Sequence, residues 1–217
     1  MKVVPITKSI CEEFVINKHY SHRKSIFWKG YALVENNFIT GICVYGQPSP
    51  PLQKYAFVDR DFRLYELSRV VVQSKTKNAS SFLIGNSLKQ LEPKPCAVVS
   101  FADSEQNHCG YIYQATNWIY TGSTVSHDHL YIVDGKRTHP MTLRDAGILN
   151  PKEWAKNNNI QTVKPYPKHR YFFIVGNKFD KKKMLQKLKY PVINKYPKII
   201  PNRYDDGEDI NMKYQGD

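Results

Sequence analysis

The stretch SFADSEQNHCGYIYQATNW, residues 100–118, decides the fold, because an apolar strand runs straight into a series of polar side chains. Its acid, Asp103, stands at the carboxyl end of the apolar run, and α/β proteins gather their sites at such strand ends. We predict that a helix follows the strand. With about 3.6 residues per turn, that helix would bring Tyr113, Asn117 and Tyr120 into one row.

A purely structural interpretation of this stretch stays open beside the functional one. Asp103 would then cap the following helix, and the tyrosines would pack at the edge of the sheet. In the functional interpretation the strand delivers the acid to a cleft, and the helix lines that cleft with polar aromatic side chains.

The elements around this stretch predict a mixed α/β fold. Asn36 and Asn37 would join two apolar strands in a tight hairpin, and Pro93 would stop a helix that follows the next strand. Residues 140–167 have the least regular pattern of the chain. The predicted strands cover residues 2–6, 30–36, 38–45, 64–72, 96–102, 129–135 and 170–176, and the predicted helices cover 8–18 and 81–91.

Charge is the strongest global feature of the chain. Its 32 Lys and Arg residues exceed its 19 Asp and Glu residues, which gives a formal net charge of +13. Such an excess predicts a polyanionic partner, most simply nucleic acid, although a merely solvated lysine-rich surface is the alternative. Between Lys164 and Arg203 the only acid is Asp180, and tyrosines that could stack on bases lie among the basic residues. The predicted nucleic-acid contacts are Arg23, Lys164, Lys168, Arg170, Lys181, Lys182 and Lys183.

Length and cysteine usage narrow the class of protein. The 217 residues suit a single domain, with a core over 1–176 and a basic C-terminal extension over 177–217. No apolar run reaches the roughly 18 residues of a membrane span, and the first residues lack a signal-peptide core. The four cysteines are far apart and suit a reducing compartment. We therefore expect a cytoplasmic protein without a membrane partner.

Two loops and one strand contain further residues suited to chemistry. HYSHR sets His19 and His22 three residues apart, where they could bind a metal, act as a base or contact phosphate; surface polar residues are the commoner explanation. QSKTKNASS precedes a helix whose first N–H groups favour an anion. That loop lacks the glycines of a phosphate loop, so an ordinary capped helix explains it equally well. His127 and His129 share one strand face and are interpreted as structural or as facing nucleic acid.

Taken together, these motifs resemble the Mom family of bacteriophage DNA-modification proteins. The resemblance rests on HYSHR near the start, on ELSRVVV followed by NASSFLI, and on the central SFADSEQNHCGYIYQATNWIYTG. The late KHRYFFIVG and a closing KYPK complete it, so that it spans most of the chain. The family's fold is similar to that of GCN5-related N-acetyltransferases. The resemblance therefore implies a mixed, mostly antiparallel central sheet flanked by helices.

The resemblance also implies an activity. Mom proteins convert adenine in phage DNA to its N6-carbamoylmethyl form, whose bulk in the major groove blocks host restriction enzymes. Double-stranded DNA would be the partner, iron held by His19 and Asp103 a cofactor, and acyl-coenzyme A a candidate donor. A flipped-out or locally opened base would present the amine. By motif position the catalytic residues are His19, Tyr20, Asp103, Tyr113 and Tyr120, and the cofactor-binding residues are Arg69 and Ser81, joined by Lys77 and Asn78 of the loop before the helix.

Two other functions stay open beside this one. The pyrophosphate loop of coenzyme A transferases carries glycines that QSKTKNASS lacks, which argues against an ordinary N-acetyltransferase acting on a protein or small amine. A non-enzymatic DNA-binding protein would need only the charge. The sequence leaves open the donor, the DNA sequence context, the metal and the oligomeric state, for which a homodimer is one option.

Overall fold

The structure of the chain is a computed structural model that describes residues 1–124, 129–198 and 209–215. His127 and the end of the basic run at Arg203 lie outside these ranges, so what the sequence predicts for them stays a prediction. Within the described residues, no helix is both long and apolar enough to cross a membrane.

One large sheet forms the centre of the fold, and a small second sheet lies beside it. In chain order the strands are β1 (Lys2–Ile6), β2 (Lys29–Glu35), β3 (Phe38–Gly46), β4 (Arg63–Val72), β5 (Cys96–Asp103), β6 (Ile119–Ser123), β7 (Leu130–Val133), β8 (Lys136–Thr138), β9 (Thr162–Val163), β10 (Lys168–Val175) and β11 (Met212–Lys213). The large sheet has the order β1-β2-β3-β4-β5-β10-β6, with β11 paired to β3, and the small sheet has the order β8-β7-β9.

Helices cover both faces of the large sheet. They are α1 (Lys8–Lys18), α2 (Pro50–Tyr55), α3 (Ala79–Lys89), α4 (Tyr111–Gln114), α5 (Pro140–Asp145), α6 (Pro151–Asn157) and α7 (Lys178–Lys187). Cys11, Phe14 and Val15 bury one side of α1, because residues three and four apart share a helix face. α3 packs on one face of the sheet, and α1, α2 and α7 pack on the other. The fold class is the predicted one, a mixed, mostly antiparallel sheet flanked by helices.

The parallel pair β4 and β5 opens the large sheet at its centre. Every other neighbouring pair in this sheet is antiparallel. The parallel pairing ends at Glu66 and Val99, although both strands continue beyond these residues. Just past this point Ser100 Oγ donates a hydrogen bond of 2.7 Å to the Leu67 carbonyl. The carboxyl ends of the two strands therefore separate and leave space between them.

A register shift on β4 changes which side chains face which side of the sheet. Tyr45 of β3 pairs with Leu67, whereas Val44 pairs with Arg69, so that Ser68 is an extra residue on β4. Leu67 and Val70 consequently both pack in the cluster beneath α3. Arg69 faces the opposite side, towards the loop after α1.

Local turn chemistry agrees with the sequence at the β2–β3 hairpin. Asn36 and Asn37 have φ values of 49° and 65°, a left-handed conformation that asparagine tolerates better than most residues. The predicted hairpin is confirmed, and α3 ends before Pro93 as expected.

The helix after β5 is much shorter than the sequence suggested. α4 has four residues, and Asn117 follows it with a left-handed φ of 59°. The chain then enters β6, where Tyr120 lies, so the predicted single row of Tyr113, Asn117 and Tyr120 is wrong. The physical cause is a helix end at Asn117, where the Trp118 N–H donates to the Tyr113 carbonyl at 3.0 Å and the Asn117 N–H to the Gln114 carbonyl at 3.1 Å.

Residues 130–163 form a small substructure between β6 and β10, which we call the insert. It consists of the second sheet and of α5 and α6, so the region that looked irregular in sequence is ordered. Tyr131, Leu143 and Ala155 form its own small core.

Part of the predicted basic extension belongs to the packed fold. Met184 of α7 is buried against the large sheet, and the Tyr196 hydroxyl donates a hydrogen bond of 2.7 Å to the Trp118 carbonyl. Farther along, β11 adds to β3. These described parts of residues 177–217 therefore pack against the rest of the fold, and the division after residue 176 stays a prediction.

Candidate active site

A cavity of about 620 Å³ occupies the opening between β4 and β5. Four parts of the chain line it: the loop after α1, the ends of β4 and β5, the loop before α3 with its first turn, and α4. The opening exists because the parallel pairing stops after Glu66 and Val99. HYSHR, NASS and the central stretch of the sequence consequently meet at one place.

One end of the cavity is built to accept an anion. Lys75, Lys77, Asn78 and Ser81 line this end, around the N-terminus of α3. The first N–H groups of a helix have no partners within the helix, and Asn78 gives no side-chain cap here. The helix dipole adds partial positive charge. Three of the four predicted cofactor-binding residues therefore lie together where phosphate groups would be favoured.

This loop manages without glycine because Asn78 takes a conformation that glycine usually provides. Its φ of 64° and ψ of 14° are left-handed, and asparagine is among the few other residues that adopt such angles readily. Ala79, Ser80 and Ser81 follow with small side chains that leave room beside the backbone. The missing glycines therefore do not exclude a diphosphate at this end.

The other end of the cavity is polar and aromatic, and His19, Tyr20, Asp103, His108 and Tyr113 line it. The ring centroids of His19 and Tyr20 are 4.4 Å apart, and those of Tyr20 and His108 are 6.0 Å apart. Four of the five predicted catalytic residues thus lie around one space. His108, for which no role was predicted, joins them.

His19 is held as a neutral imidazole. It is 8% exposed, and burial, together with the positive charge of Arg69, lowers its pKa to about 3. The Ser21 backbone N–H lies 3.2 Å from Nδ1, and a backbone N–H can only donate, so Nδ1 accepts. The ring proton consequently lies on Nε2. At neutral pH His19 can donate one hydrogen bond.

The two tyrosines at this end keep their protons at neutral pH. Burial raises the pKa of Tyr113 to about 12, and burial with the nearby charge of Asp103 raises that of Tyr20 further. Ser100 Oγ lies within hydrogen-bond distance of both the Tyr113 hydroxyl and the Leu67 carbonyl, at 2.7 Å in each case. The Tyr113 hydroxyl is therefore engaged with β5, and its ring lines the cavity.

Asp103 has a structural and a cavity-facing role at once. Its Oδ1 accepts a hydrogen bond of 3.1 Å from the Glu105 N–H and caps the short turn over Ser104–Gln106. Its Oδ2 lies 3.1 Å from Lys168 Nζ, and its side chain is 12% exposed. Both interpretations of the sequence therefore describe part of its environment.

Glu66 is a partly buried acid that the predictions from the sequence did not include. Burial raises its pKa, while the charges of Arg69 and Lys168 act in the opposite direction. It stands at the last paired position of the parallel strands, and its charge acts on Tyr113. The signal in the sequence is a carboxylate within the otherwise apolar strand LYELSRVVV.

Arg69 supports the cavity without lining it. Its guanidinium donates hydrogen bonds to the carbonyl of Arg23 at 3.2 Å and to that of Ser68 at 2.8 Å. It therefore fastens the HYSHR loop, and with it His19 and Tyr20, onto β4. The structure does not bring this residue to the predicted cofactor.

Tyr120 lies outside the cavity as well. It is on β6, separated from β5 by β10, and its hydroxyl is 2.9 Å from His169 Nδ1. A shared helix face would have placed Tyr120 beside Tyr113, but Tyr120 lies on a strand. Its hydroxyl is hydrogen-bonded to His169 within the sheet.

The predicted nucleic-acid contacts have different surroundings. Arg23 forms an ion pair of 2.6 Å with Asp145, and Arg170 lies over the Tyr190 ring at 3.4 Å from its centroid. The guanidinium of Arg170 also donates to Thr121, so both arginines have partners within the fold. The exposed members of the predicted set are Lys164, Lys168, Lys181, Lys182 and Lys183.

The residues predicted to hold iron do not fit that role. In the part of the chain that the structure describes, no group of three or more His, Cys, Asp or Glu side chains could hold a metal ion. Both Asp103 oxygens have partners, and one partner is the Lys168 ammonium, a positive charge where a metal would bring another. We assign iron no step in the chemistry.

Three solved structures to which this chain is similar are acetyltransferases. An N-acetyltransferase from Staphylococcus aureus Mu50 shares 12% identity, covering 81% of this chain and 98% of that one, with a TM-score of 0.43. Arabidopsis thaliana NAA60 in complex with acetyl-CoA shares 9% identity, covering 81% and 99%, with a TM-score of 0.43. A GNAT-family acetyltransferase from Bacillus cereus ATCC 10987 shares 16% identity, covering 68% and 71%, with a TM-score of 0.34.

A mostly antiparallel sheet that opens between two parallel strands around a polar cavity defines a mixed α/β protein with its candidate site at that opening. No curated protein sequence matches the chain. The chain belongs to the Mom protein family, whose model matches residues 1–197. The resemblance identified from the motifs is confirmed.

Proposed function

We propose that the protein is a DNA-modifying transferase that converts adenine to its N6-carbamoylmethyl form and so protects the DNA against restriction enzymes. The observation that carries this proposal is the convergence of His19, Tyr20, Asp103 and Tyr113 on one cavity in a chain of the Mom family. The formal net charge of +13 supports DNA as the substrate.

The donor we propose is an acyl-coenzyme A. Lys75 and Lys77, with the first N–H groups of α3, would hold its phosphates. Val70, Val72 and Ile112 give the cavity apolar wall that suits the uncharged arm of such a molecule. Because a carbamoylmethyl group joins N6 through its methylene carbon, the donor would have to react at that carbon, where the N–C bond forms as a leaving group departs. Transfer of the acyl carbonyl itself would give an N6-acyladenine.

The polar end of the cavity has groups suited to an adenine amine. That amine is a poor nucleophile because its lone pair is delocalised into the ring, so it needs a base when it attacks. Asp103 would accept the proton, with Lys168 fixing the direction of its carboxylate. Tyr20 would give a proton to the departing group of the donor. Neutral His19 would orient the substrate through a hydrogen bond from its Nε2–H. The Tyr113 ring would stack on a base extruded from the duplex.

Nucleoside analysis tests the proposal. The protein is expressed in cells, and their DNA is digested to nucleosides and analysed by mass spectrometry. We expect deoxyadenosine with an added carbamoylmethyl group, and resistance of the same DNA to restriction enzymes. Unaltered nucleosides from cells that contain folded protein would contradict the proposal.

An N-acetyltransferase acting on a protein or small amine is the second candidate. The left-handed conformation of Asn78 favours it, because it removes the objection that the loop lacks glycine. Acetylation of a panel of amines and proteins from acetyl-coenzyme A, together with unaltered nucleosides, would select this function. A modified nucleoside would exclude it as the main activity.

A further inference from the structure

The insert carries a second cavity, of about 790 Å³, that shares no lining residue with the candidate active site. It lies between the small sheet and the helices α5 and α6. Tyr131, Ala155 and Ile160 provide an apolar floor. We call this feature the insert groove.

The rim of the insert groove is basic. Arg144 of α5 and Lys152 and Lys156 of α6 line it with exposed side chains. The two lysines are four residues apart, which places them on the same side of α6. Among the described residues that line the groove there is neither Asp nor Glu.

The acids closest in sequence to these cations have partners of their own. Asp145, next to Arg144, forms its ion pair with Arg23. Glu153, next to Lys152, accepts a hydrogen bond of 2.9 Å from the Asn150 side chain. The positive charge at the rim is therefore not neutralised by its chain neighbours.

Polar contacts of two arginines, Arg23 and Arg137, fasten the insert to the loops that form the polar end of the active-site cavity. Arg23 donates to Thr142 of α5 at 3.1 Å as well as to Asp145, and it belongs to the same loop as His19 and Tyr20. Arg137 pairs with Glu105 at 3.0 Å, two residues after Asp103. The groove and the active site are consequently parts of one connected surface.

We propose that the insert groove binds the sugar–phosphate backbone of the DNA strand whose base enters the active site. This inference rests on the proposed function for DNA as the substrate. Exposed Arg and Lys side chains bind phosphates through charge-assisted hydrogen bonds, and cations spread over two helices suit a repeating row of phosphates better than one small anion. The apolar floor suits the sugar faces between them.

A charge-neutralised triple variant tests the groove. Arg144→Gln, Lys152→Gln and Lys156→Gln are combined, and binding to a fluorescent duplex is followed by anisotropy over a range of salt concentrations. The matched control combines Lys2→Gln, Lys54→Gln and Lys89→Gln, three exposed lysines that line neither the active-site cavity nor the groove. We expect the salt slope of the groove variant to fall by about 3, roughly one for each lost phosphate contact, and the affinity to fall about tenfold or more. The control should keep most of both.

A charge-preserving variant distinguishes loss of charge from damage to the fold. Arg144→Lys with Lys152→Arg and Lys156→Arg keeps the three positive charges and should retain the salt slope. Equal slopes for the groove variant and the wild-type protein would overturn the inference.

Because anisotropy needs no turnover, the inference and the proposed function fail in different ways. If the groove variant has a lower salt slope but the wild-type protein gives no modified nucleoside, the groove binds DNA and the proposed function is wrong. If the wild-type protein gives a modified nucleoside but the groove variant keeps the wild-type slope, the proposed function holds and the groove does not bind DNA.

Discussion

Lys168 Nζ lies 3.1 Å from Asp103 Oδ2, which joins a lysine at the rim of the active-site cavity to the acid inside it. The two residues face each other because β10 pairs with β5 in a register that sets Lys168 directly opposite Asp103. Lys168, which the charge pattern predicts to contact DNA, is therefore a neighbour of Asp103, the proposed general base. This pair gives two predictions that separate the roles of its members.

Asp103→Asn removes the base and keeps an oxygen that can cap the turn over Ser104–Gln106. We expect the content of modified adenine to fall by about 100-fold or more, because general-base catalysis contributes at least that much. The free energy of unfolding should change by less than about 1 kcal/mol, since the cap is retained. Mass spectrometry of nucleosides and urea denaturation measure the two effects. Asp59→Asn, at an exposed position, is the control and should modify normally.

Lys168→Gln distinguishes a partner of Asp103 from a DNA contact. As a partner, Lys168 fixes the direction of the carboxylate, so its loss should lower the rate of modification while the salt slope of DNA binding stays constant. A phosphate contact would instead lower that slope by about 1. Anisotropy with a duplex at several salt concentrations, beside the nucleoside assay, measures both. If the variant has a lower salt slope of DNA binding and an unchanged rate of modification, Lys168 is a DNA contact and does not act through Asp103.

Elements with a local signal were predictable from the sequence, and contacts set by distant parts of the chain were not. The β2–β3 hairpin follows from Asn36 and Asn37, and β5 with its terminal acid follows from one apolar run. The short helices of the insert are too brief for a periodic pattern. The pairing of Lys168 with Asp103 depends on a strand register that no local pattern encodes.

Two site residues show the same limit in more detail. Arg69 lies in a recognisable motif, yet its direction depends on the extra residue at Ser68, which a regular strand period does not reveal. Tyr120 follows Asn117, whose left-handed conformation ends the helical course, and Trp118, whose side chain is fully buried. In both cases tertiary packing overrides the local period.

His19→Gln should change how stability depends on pH. The pKa of folded His19 is lowered from 6.5 to about 3 by burial, so protonation favours the unfolded chain between these values. The stabilisation that the neutral ring gives is present above pH 6.5 and is lost as the pH falls towards 3. We expect the wild-type protein to lose about 1 to 2 kcal/mol relative to the variant between pH 6.5 and about pH 5. Urea midpoints at each pH give the comparison, and parallel curves for the two proteins would contradict a buried neutral His19.

Tyr113→Phe and Tyr113→Ala separate the hydroxyl of this residue from its ring. The hydroxyl is hydrogen-bonded to Ser100, so the phenylalanine variant should cost about 1 kcal/mol of stability and keep adenine modification within about tenfold. The alanine variant also loses the ring that would stack on the base, and its activity should fall much further. Nucleoside analysis compares the pair. Complete inactivity of a folded phenylalanine variant would show that the hydroxyl takes part in proton transfer.

Asn78→Gly and Asn78→Val test the phosphate end of the cavity. Asn78 has a φ of 64°, which glycine adopts without strain and which a β-branched residue adopts only at a cost. The glycine variant should therefore keep the first turn of α3 in position and bind an acyl-coenzyme A as well as the wild-type protein does. The valine variant should bind it at least about tenfold more weakly, because the N–H groups at the helix start are displaced. Isothermal titration with acetyl-coenzyme A measures both variants. Equal affinity of the two variants would show that the phosphates are held elsewhere, because the position of the N–H groups at the start of α3 depends on the backbone conformation of residue 78.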